Sequence, residues 1–501
     1  MKRFLLFTAA CILALQGCEK NEPSKEEKSV AMTSFGFYSE DNPGVLNSDV
    51  ILEGISSASL TVRLPFGTSN EVLKTLVPRF VTTAGASVIV GEKTVESGKT
   101  ALDFSSPVDF IVSLDGTNAL YTVTVLIVEP TTWRMAAESQ SQIYAGPVLA
   151  TSPSDGSVYM LATSAGADSK TRFPVLFRYD SGKFSEKTVA ESGAKNLAME
   201  VSSDGAAYVS YYDYSASPAG QTVMKVSGDA VSSVGAAGSV YKSGGNTLTS
   251  VALFPFAEDN VWYAGYNDLG NAGVARRALN LAHFTGTDWA NGQNMPGRNA
   301  EDRAYNNIGR LAGKTAYLCT HNQNTHTVSV YKYENNVWSA VFESIKISKL
   351  DGSDAEINLR DMDFDVASNG DIYLALAANF TSETYCPAVI RYDIKTGKQT
   401  IIAGVLSSVD IDSGRNISLS LDANDVPHLV YEGNTDGITY LTYINANRQW
   451  SDPVAISAGA SDGCAIRFSE DGTGYIAFKD ESPLADGGTK DRLVVFTNSA
   501  E

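Results

Sequence analysis

The chain has 501 residues, of which 43% are hydrophobic and 19% charged, so it has the composition of a folded protein and is long enough for two or more domains. Its formal net charge of −19 at pH 7 excludes the extended basic surface that nucleic-acid binding requires, so no nucleic-acid partner is expected. The 42 glycines and 23 tyrosines, with short Val/Ile/Thr/Tyr runs between Gly, Asn, Asp and Ser clusters, predict an all-β protein.

The first eighteen residues have the pattern of a bacterial export signal. Two basic residues precede an apolar run from Phe4 to Leu15 that is too short to span a bilayer stably. The run ends in the letters LQGC at Cys18, which resemble the lipobox of bacterial lipoproteins. This resemblance implies that residues 1–17 are a signal peptide that is removed and that Cys18 carries the lipid. An ordinary secretory signal with a chance cysteine is the alternative.

Residues 18–30 contain the polar run EKNEPSKEEKS, which cannot pack and is predicted to be a flexible tether. Its acidic residues lie close to Cys18 and resemble the signals that carry lipoproteins to the outer face of the outer membrane in bacteria with Sus-type glycan uptake systems. The resemblance implies a protein of the outer membrane that is anchored by lipid and faces the extracellular side.

Between residues 31 and 130, runs such as SLTVRLPF and ASVIVGEKTV alternate apolar and polar residues and predict β-strands. About a hundred residues is a normal size for a β-sandwich. The turn Asp115-Gly116 and the strand around Tyr121 resemble the closing hairpin of the Ig-like or cadherin-like modules that precede binding domains in Sus-type surface lipoproteins. The resemblance implies an N-terminal Ig/cadherin-like β-sandwich that serves as a spacer.

The rest of the chain, residues 131–501, repeats a short turn motif that ends in a tyrosine, as in SDGSVY, SDGAAY and EDGTGY. Its tyrosine suits a position that packs against a sheet. Seven copies end at Tyr159, Tyr208, Tyr263, Tyr317, Tyr373, His428 and Tyr475, with spacings of 49, 55, 54, 56, 55 and 47 residues. Such a period is typical of architectures in which no single unit can bury both of its faces.

Most repeats contain signals for four strands, and the last strand is often led by tryptophan, as at Trp289, Trp338 and Trp450. Seven four-stranded units predict a seven-bladed β-propeller. Two stacked sandwiches with similar hairpins are the alternative, but they do not explain the period.

The last unit ends after its third strand, RLVVFT, whereas a tryptophan-led strand at Trp133 precedes the first unit. We therefore expect residues 132–138 to pair with the strand around Leu493 to Thr497 and to close the ring.

In a propeller whose strands are counted outward from the axis, the repeated turn joins the first strand of a unit to the second. The loops between the second and third strands, here called inner loops, then share the opposite face with the loops between units, here called linking loops. Both sets combine aromatic rings with amide, guanidinium and carboxylate groups, the chemistry that recognises sugars or other small polar ligands. Rings that only pack loop against loop are the alternative for any single residue. The expected ligand-binding residues are Tyr212, Tyr266, Arg303, Tyr305, His321, Arg360, Arg415 and Glu432.

The sequence favours binding over catalysis. It contains no GxSxG, HExxH or phosphate-loop motif. His321 and His326 share one loop without an obvious third metal ligand, and Asp361, Asp410 and Glu432 are isolated candidates for acid–base work. No metal or cofactor is expected, and the three cysteines after Cys18 are expected to be buried free thiols.

The combination of lipid anchor, spacer and binding propeller resembles the surface glycan-binding lipoproteins of Sus-type systems. This resemblance implies that the protein captures an oligosaccharide nutrient and delivers it to a TonB-dependent outer-membrane transporter. Two alternatives stay open at the level of sequence: capture of another scarce nutrient, such as a corrinoid or an iron–siderophore complex, and a propeller polysaccharide lyase or glycosidase.

Overall fold

The computed structural model describes residues 30–499, apart from 47–48, 65–67, 128–131, 166–169, 218, 241–247, 268–277, 296–302, 305, 347–356, 381–383, 412–416, 434–436, 445–447 and 458. These residues form an all-β protein, as predicted, and their one helical element is a single 3-10 turn at Val72–Thr75. Within the same residues, no helix is long and apolar enough to cross a membrane. The predicted signal peptide and the lipidation site Cys18 lie outside the described residues.

The chain divides into two compact units. The smaller unit contains the described residues up to 126 except 43–48 and 63–69, and the larger unit contains these two segments and the residues from 127 onward.

The described strands of the smaller unit form two sheets, with the strand orders β2-β1-β4 and β3-β8-β7-β5-β6. The strands are β1 (Met32–Phe37), β2 (Val50–Glu53), β3 (Ser59–Leu64), β4 (Pro78–Thr82), β5 (Ser87–Val90), β6 (Lys93–Thr94), β7 (Val108–Leu114) and β8 (Thr117–Ile127). The predicted turn between β7 and β8 is present, and Asp115 and Gly116 both have positive φ angles, of 51° and 84°.

Phenylalanines from the two sheets form the core of the smaller unit. Phe35 on β1 lies 5.3 Å from Phe110 on β7, and Phe37 lies 5.1 Å from Phe104, measured between ring centroids. Both pairs are edge-to-face, a favourable arrangement for aromatic rings. Phe35 and Phe37 lie on the same face of β1, because successive side chains of a strand point to opposite faces, and this face packs against the second sheet.

The described strands of the larger unit run antiparallel to their neighbours in sheets that follow one another along the chain. In chain order they are β9 (Arg134–Thr151), β10 (Val158–Ala165), β11 (Arg172–Asp180), β12 (Lys183–Thr188); β13 (Ala194–Val201), β14 (Ala207–Asp213), β15 (Gly220–Ser227), β16 (Ala230–Ser233); β17 (Leu248–Ala257), β18 (Asn260–Asn267), β19 (Leu279–Phe284), β20 (Trp289–Asn294); β21 (Asn306–Ala312), β22 (Thr315–Asn322), β23 (Thr327–Glu334), β24 (Val337–Lys346); β25 (Leu359–Val366), β26 (Ile372–Ala378), β27 (Cys386–Tyr392), β28 (Gln399–Ile402); β29 (Ile417–Leu421), β30 (Pro427–Gly433), β31 (Gly437–Ile444), β32 (Gln449–Trp450), β33 (Val454–Ala455); and β34 (Ser461–Phe468), β35 (Gly474–Asp480), β36 (Arg492–Thr497). Five of the sheets contain four or five of these strands in sequence order, beginning with β13, β17, β21, β25 and β29.

The long strand β9 joins the two ends of the larger unit in one sheet of order β12-β11-β10-β9-β36-β35-β34. Its first part pairs with β36 through partners such as Ala137 and Val495, and its second part pairs with β10. The predicted pairing between the tryptophan-led strand and the C-terminal strand is thus present.

The tyrosines of the repeated turns pack between neighbouring sheets, as predicted. Tyr159 is 8% exposed, and its hydroxyl donates a hydrogen bond to the carbonyl of Gly205 in the turn of the next sheet (3.4 Å). Tyr475 makes the same contact with Gly156 (3.4 Å). At the sixth copy His428 takes the tyrosine position, where its Nδ1 lies 2.6 Å from the Tyr440 hydroxyl. The two tyrosine hydroxyls thus contact the turn of the following or first repeat, whereas the His428 contact lies within one sheet, between β30 and β31.

Candidate functional site

The larger unit contains a cavity of about 780 Å³ lined by β9, β13, β17, β21, β25, β29 and β34. Each of these is the strand that precedes a repeated turn. All of them except β9 lie at the edge of their sheet, so their outer backbone groups need partners other than a neighbouring strand. The volume is within the range of small-molecule sites, and this makes the cavity the candidate functional site.

Three aspartates of β25 supply partners for the edge of β29. Asp361, Asp363 and Asp365 occupy alternate positions, so their side chains lie on one face of the strand. Their carboxylates accept hydrogen bonds from the backbone N–H groups of Ile417 (3.4 Å), Leu419 (3.0 Å) and Leu421 (2.9 Å). Because a buried N–H group without a partner is costly, this ladder stabilises the contact between two separate sheets.

Two serines of β29 extend the same arrangement to β34. The hydroxyl oxygen of Ser418 accepts a hydrogen bond from the Ile466 N–H (3.1 Å), and that of Ser420 accepts one from the Phe468 N–H (3.2 Å). The Ser418 hydroxyl also donates to Asp363 (2.8 Å). The cavity wall is therefore polar because its strand edges must be satisfied.

Asp363 is 4% exposed and lies between arginines from two other sheets. Arg310 on β21 donates to one carboxylate oxygen, and Arg467 on β34 lies 3.3 Å from the other. Burial opposes ionisation, but the two guanidinium groups and hydrogen bonds from Leu419 and Ser418 outweigh it and hold the pKa of Asp363 below its usual range. The Asp363 carboxylate on β25 therefore forms ion pairs with arginines on β21 and β34, and these contacts link three sheets.

Glu200 on β13 adds a titratable group to the cavity wall. It is half-buried, and burial raises the pKa of its carboxyl to about 7, while the Val201 N–H and the charges of Arg310 and Arg467 limit the increase. Near neutral pH this carboxyl can therefore either donate or accept a hydrogen bond.

The three cysteines after Cys18 are buried and free, as predicted. Cys464 borders the cavity, but burial raises the pKa of its thiol well above the usual value, so it is not an activated nucleophile. In the part of the chain that the structure describes, no group of three or more His, Cys, Asp or Glu side chains has the arrangement of a metal site.

Among the described residues that we expected to bind ligand, Arg360 is the one that lines the cavity. It is exposed, and its guanidinium carbon lies 4.7 Å from the ring centroid of Tyr385. Its position at the start of β25 places it on the side of the linking loops.

Two of the expected aromatic residues are packed inside the protein. Tyr212 is 6% exposed, and the Lys195 ammonium lies 5.0 Å from its ring centroid. His321 is 4% exposed, and its ring centroid lies 6.4 Å from that of His326. Neither ring presents an open face to a ligand in this structure.

The other expected residues are spread over the larger unit. Arg303 is half-buried, and its carbonyl accepts a hydrogen bond from the Gln323 N–H (3.3 Å). Glu432 is half-buried at the end of β30, where burial and the neighbouring Asp462 raise its pKa to about 7. The side chain of Tyr266 and the whole of Tyr305 and Arg415 lie outside the described residues.

The charged groups around Asp363 were not among the residues expected from the sequence. The available signal was the alternation of aspartates in RDMDFD, where an otherwise apolar strand carries carboxylates on one face. Their partners Arg310 and Arg467 lie 53 and 104 residues away in sequence, and no local pattern connects them.

Comparisons with known proteins give one family match. Residues 51–125 match a family model described as "SGBP, N-terminal", the N-terminal module of surface glycan-binding proteins. The match lies before the residues that line the cavity. No curated protein matches the chain.

Several solved structures share low similarity with this chain. An α-L-arabinofuranosidase from Fusarium graminearum has 10% identity and a TM-score of 0.38, over 61% of this chain and 92% of that chain. A lectin from Aleuria aurantia has 10% identity and a TM-score of 0.38, over 57% and 88% of the two chains. A polysaccharide lyase has 11% identity and a TM-score of 0.42, over 72% and 92%. Values this low support no conclusion about fold or function.

We expect Asp363→Ala to destabilise the protein by about 3–5 kcal/mol, because it leaves the two half-buried arginines without their carboxylate. The control is Asp365→Ala, which removes hydrogen bonds to Leu421 and Ser420 and should cost about 1–2 kcal/mol. Urea unfolding followed by tryptophan fluorescence measures both. If both variants lost the same small amount of stability, the arginines would not need the Asp363 carboxylate to balance their charges.

We expect Glu200→Gln to make stability less dependent on pH. The folded-state pKa of Glu200 is above its unfolded value, so the wild-type protein loses stability as pH rises from about 4.5 to about 7. The variant should match the wild type at pH 5 and be more stable at pH 8, by up to about 3 kcal/mol. Urea unfolding at both pH values tests this, with the exposed Glu334→Gln as control; a variant that is less stable at pH 8 would contradict it.

Proposed function

We propose that this chain is a cell-surface glycan-binding protein that captures an oligosaccharide nutrient. The observation that carries the proposal is the match of residues 51–125 to the N-terminal module of surface glycan-binding proteins. The negative charge of the chain is compatible with an uncharged glycan, whereas it disfavours polyanionic partners.

The proposed organisation is an Ig-like spacer over residues 31–130 followed by a seven-bladed propeller over residues 131–501. Three observations support a propeller: the successive antiparallel sheets, the pairing of β9 with β36, and the convergence of one strand from each repeat on a common cavity. In such a ring every unit buries its faces against two neighbours, as the repeat period requires.

The proposed ligand face combines the inner loops and the linking loops at one end of the cavity. Contacts between the two kinds of loop support this arrangement. The Tyr385 N–H donates to Asp410 (3.3 Å), and the Asn358 N–H donates to the side-chain oxygen of Asn379 (2.6 Å). Arg360 stacks near Tyr385 at this end and provides forked donors for hydroxyl groups.

The proposed setting is the outer membrane. Cys18 carries the lipid, the polar residues after it act as a tether, and the bound glycan passes to a TonB-dependent transporter. The lipobox-like sequence at Cys18 and the acidic residues that follow it support the anchor and its outward orientation.

The purified protein should bind at least one glycan on an array of plant, algal and host polysaccharides. Arg360→Ala should then weaken binding about tenfold in calorimetry, because it removes a forked donor at the cavity rim. Tyr475→Phe is the control, since its hydroxyl contacts a turn at Gly156. Product analysis after long incubation should return the glycan intact; shortened or unsaturated products would contradict simple capture.

Replacing Cys18 with Ala should release the protein from the membrane fraction, because the lipid cannot be attached to alanine. Fractionation of cells that express the wild type and the variant measures this. In intact cells the wild type should be cleaved by added protease. Membrane association that does not change in the variant would rule out the lipid anchor.

A further inference from the structure

Two exposed tyrosines that both contact Arg172 lie on the surface of the larger unit. Tyr144 is in β9, and Tyr214 follows β14 in the next sheet. Their exposed fractions are 37% and 41%, which are high for aromatic side chains. Neither residue lines the cavity, so this surface is separate from the candidate site described above.

Tyr144 is supported on one face by Arg172, at the start of β11. The guanidinium carbon lies 3.6 Å from the Tyr144 ring centroid, which places the planar group against the face of the ring. Tyr144 is still 37% exposed as a residue, so part of its surface is available to solvent.

Tyr214 is supported on one face by the backbone of Gly193. A Cβ atom at Gly193 would lie 2.1, 2.3 and 2.5 Å from three consecutive ring atoms of Tyr214, Cε2, Cζ and Cδ2. A point outside the ring edge would be much farther from the two flanking atoms than from Cε2, so these similar distances place it over the ring face. One face of the ring therefore lies on the glycine, and the residue as a whole is 41% exposed.

Hydrogen bonds hold the Tyr214 ring in this position. The Arg172 N–H donates to its hydroxyl (2.9 Å), and the Tyr214 N–H donates to the Gly193 carbonyl (2.9 Å). The buried carboxylate of Asp213 accepts hydrogen bonds from the N–H groups of Ser215 and Ala216 (2.9 Å each) and fixes the following turn. Arg172 thus contacts both rings, one through its side chain and the other through its backbone.

We propose that Tyr144, Arg172 and Tyr214 form a stacking platform for the pyranose rings of an oligosaccharide. The inference rests on the proposed glycan-binding function and names a surface for it outside the cavity. The C–H faces of sugars pack on open aromatic faces, and rings that are already fixed lose little entropy when a ligand binds. Two adjacent rings from two sheets fit an extended oligosaccharide better than a single sugar.

The test uses affinity electrophoresis of the purified full mature chain in gels containing xylan, mannan, xyloglucan, laminarin or pectin. For a polysaccharide that retards the wild type, Tyr214→Ala and Tyr144→Ala should each weaken binding about tenfold, by analogy with stacking of planar ligands on aromatic rings. Gly193→Ala should have an effect similar to Tyr214→Ala, because the new methyl group displaces the ring while the tyrosine itself remains. Tyr214→Phe should weaken binding much less than Tyr214→Ala, because it keeps the ring on Gly193 and loses only the hydrogen bond from the Arg172 N–H.

The matched control is Tyr38→Ala, since Tyr38 also stacks with an arginine, Arg79 at 4.4 Å, but belongs to the smaller unit. Melting temperatures show whether each variant is folded. If Gly193→Ala does not fold, Tyr144→Ala and Tyr214→Ala alone test the platform. Wild-type binding that survives in both alanine variants would overturn the platform and leave the proposed function intact. A wild-type chain that none of the polysaccharides retards would contradict the proposed function and the platform together.

Discussion

The structure of the larger unit depends on one strand that is shared by its two ends. The first part of β9 pairs with β36, more than 300 residues later, and its second part begins the first sheet. Closing so long a loop has an entropic cost, and apolar burial along the seam offsets it, since Leu493 and Val495 are both fully buried. Lys490 contacts Glu138 across the seam (2.6 Å) and Asp480 on its own side of the seam (3.1 Å). With β9 paired on both sides, the terminal sheets have no open edge at this point.

The polar and charged lining of the cavity follows from the edge strands that surround it. An edge strand has backbone N–H groups that the sheet does not satisfy, and in β29 and β34 the neighbouring aspartates and serines satisfy them. Carboxylates placed for this purpose bring negative charge into the interior, and the two arginines beside Asp363 balance it. Any ligand that enters the cavity therefore meets groups that already stabilise the fold, so recognition and stability are coupled there.

Tyrosines serve two different roles in this protein, and burial separates them. At the repeated turns the ring is enclosed between sheets, and the hydroxyl is directed to a carbonyl of the adjoining turn, as with Tyr159 and Tyr475. At Tyr144 and Tyr214 one ring face is covered by a guanidinium or a glycine, and the residues are 37% and 41% exposed. The first arrangement removes the ring from any ligand, whereas the second presents it to one.

The sequence by itself determined the all-β class, the repeat, the strand positions around each turn and the pairing of the segment near Trp133 with the C-terminal strand. The strands and turns are local features, because alternation of apolar residues and turn-forming pairs such as Asp115-Gly116 act within a few residues. The long-range pairing followed from the repeat, because the last unit has one strand fewer than the others. Only the tertiary structure decided which side chains meet. Tyr212 is in a loop-rich, aromatic stretch but is covered by Lys195, whereas Tyr144 was not singled out in the sequence and is exposed. Asp363 and its arginines come together from three sheets because the edge strands of these sheets line one cavity, and no periodicity in the sequence encodes that distance.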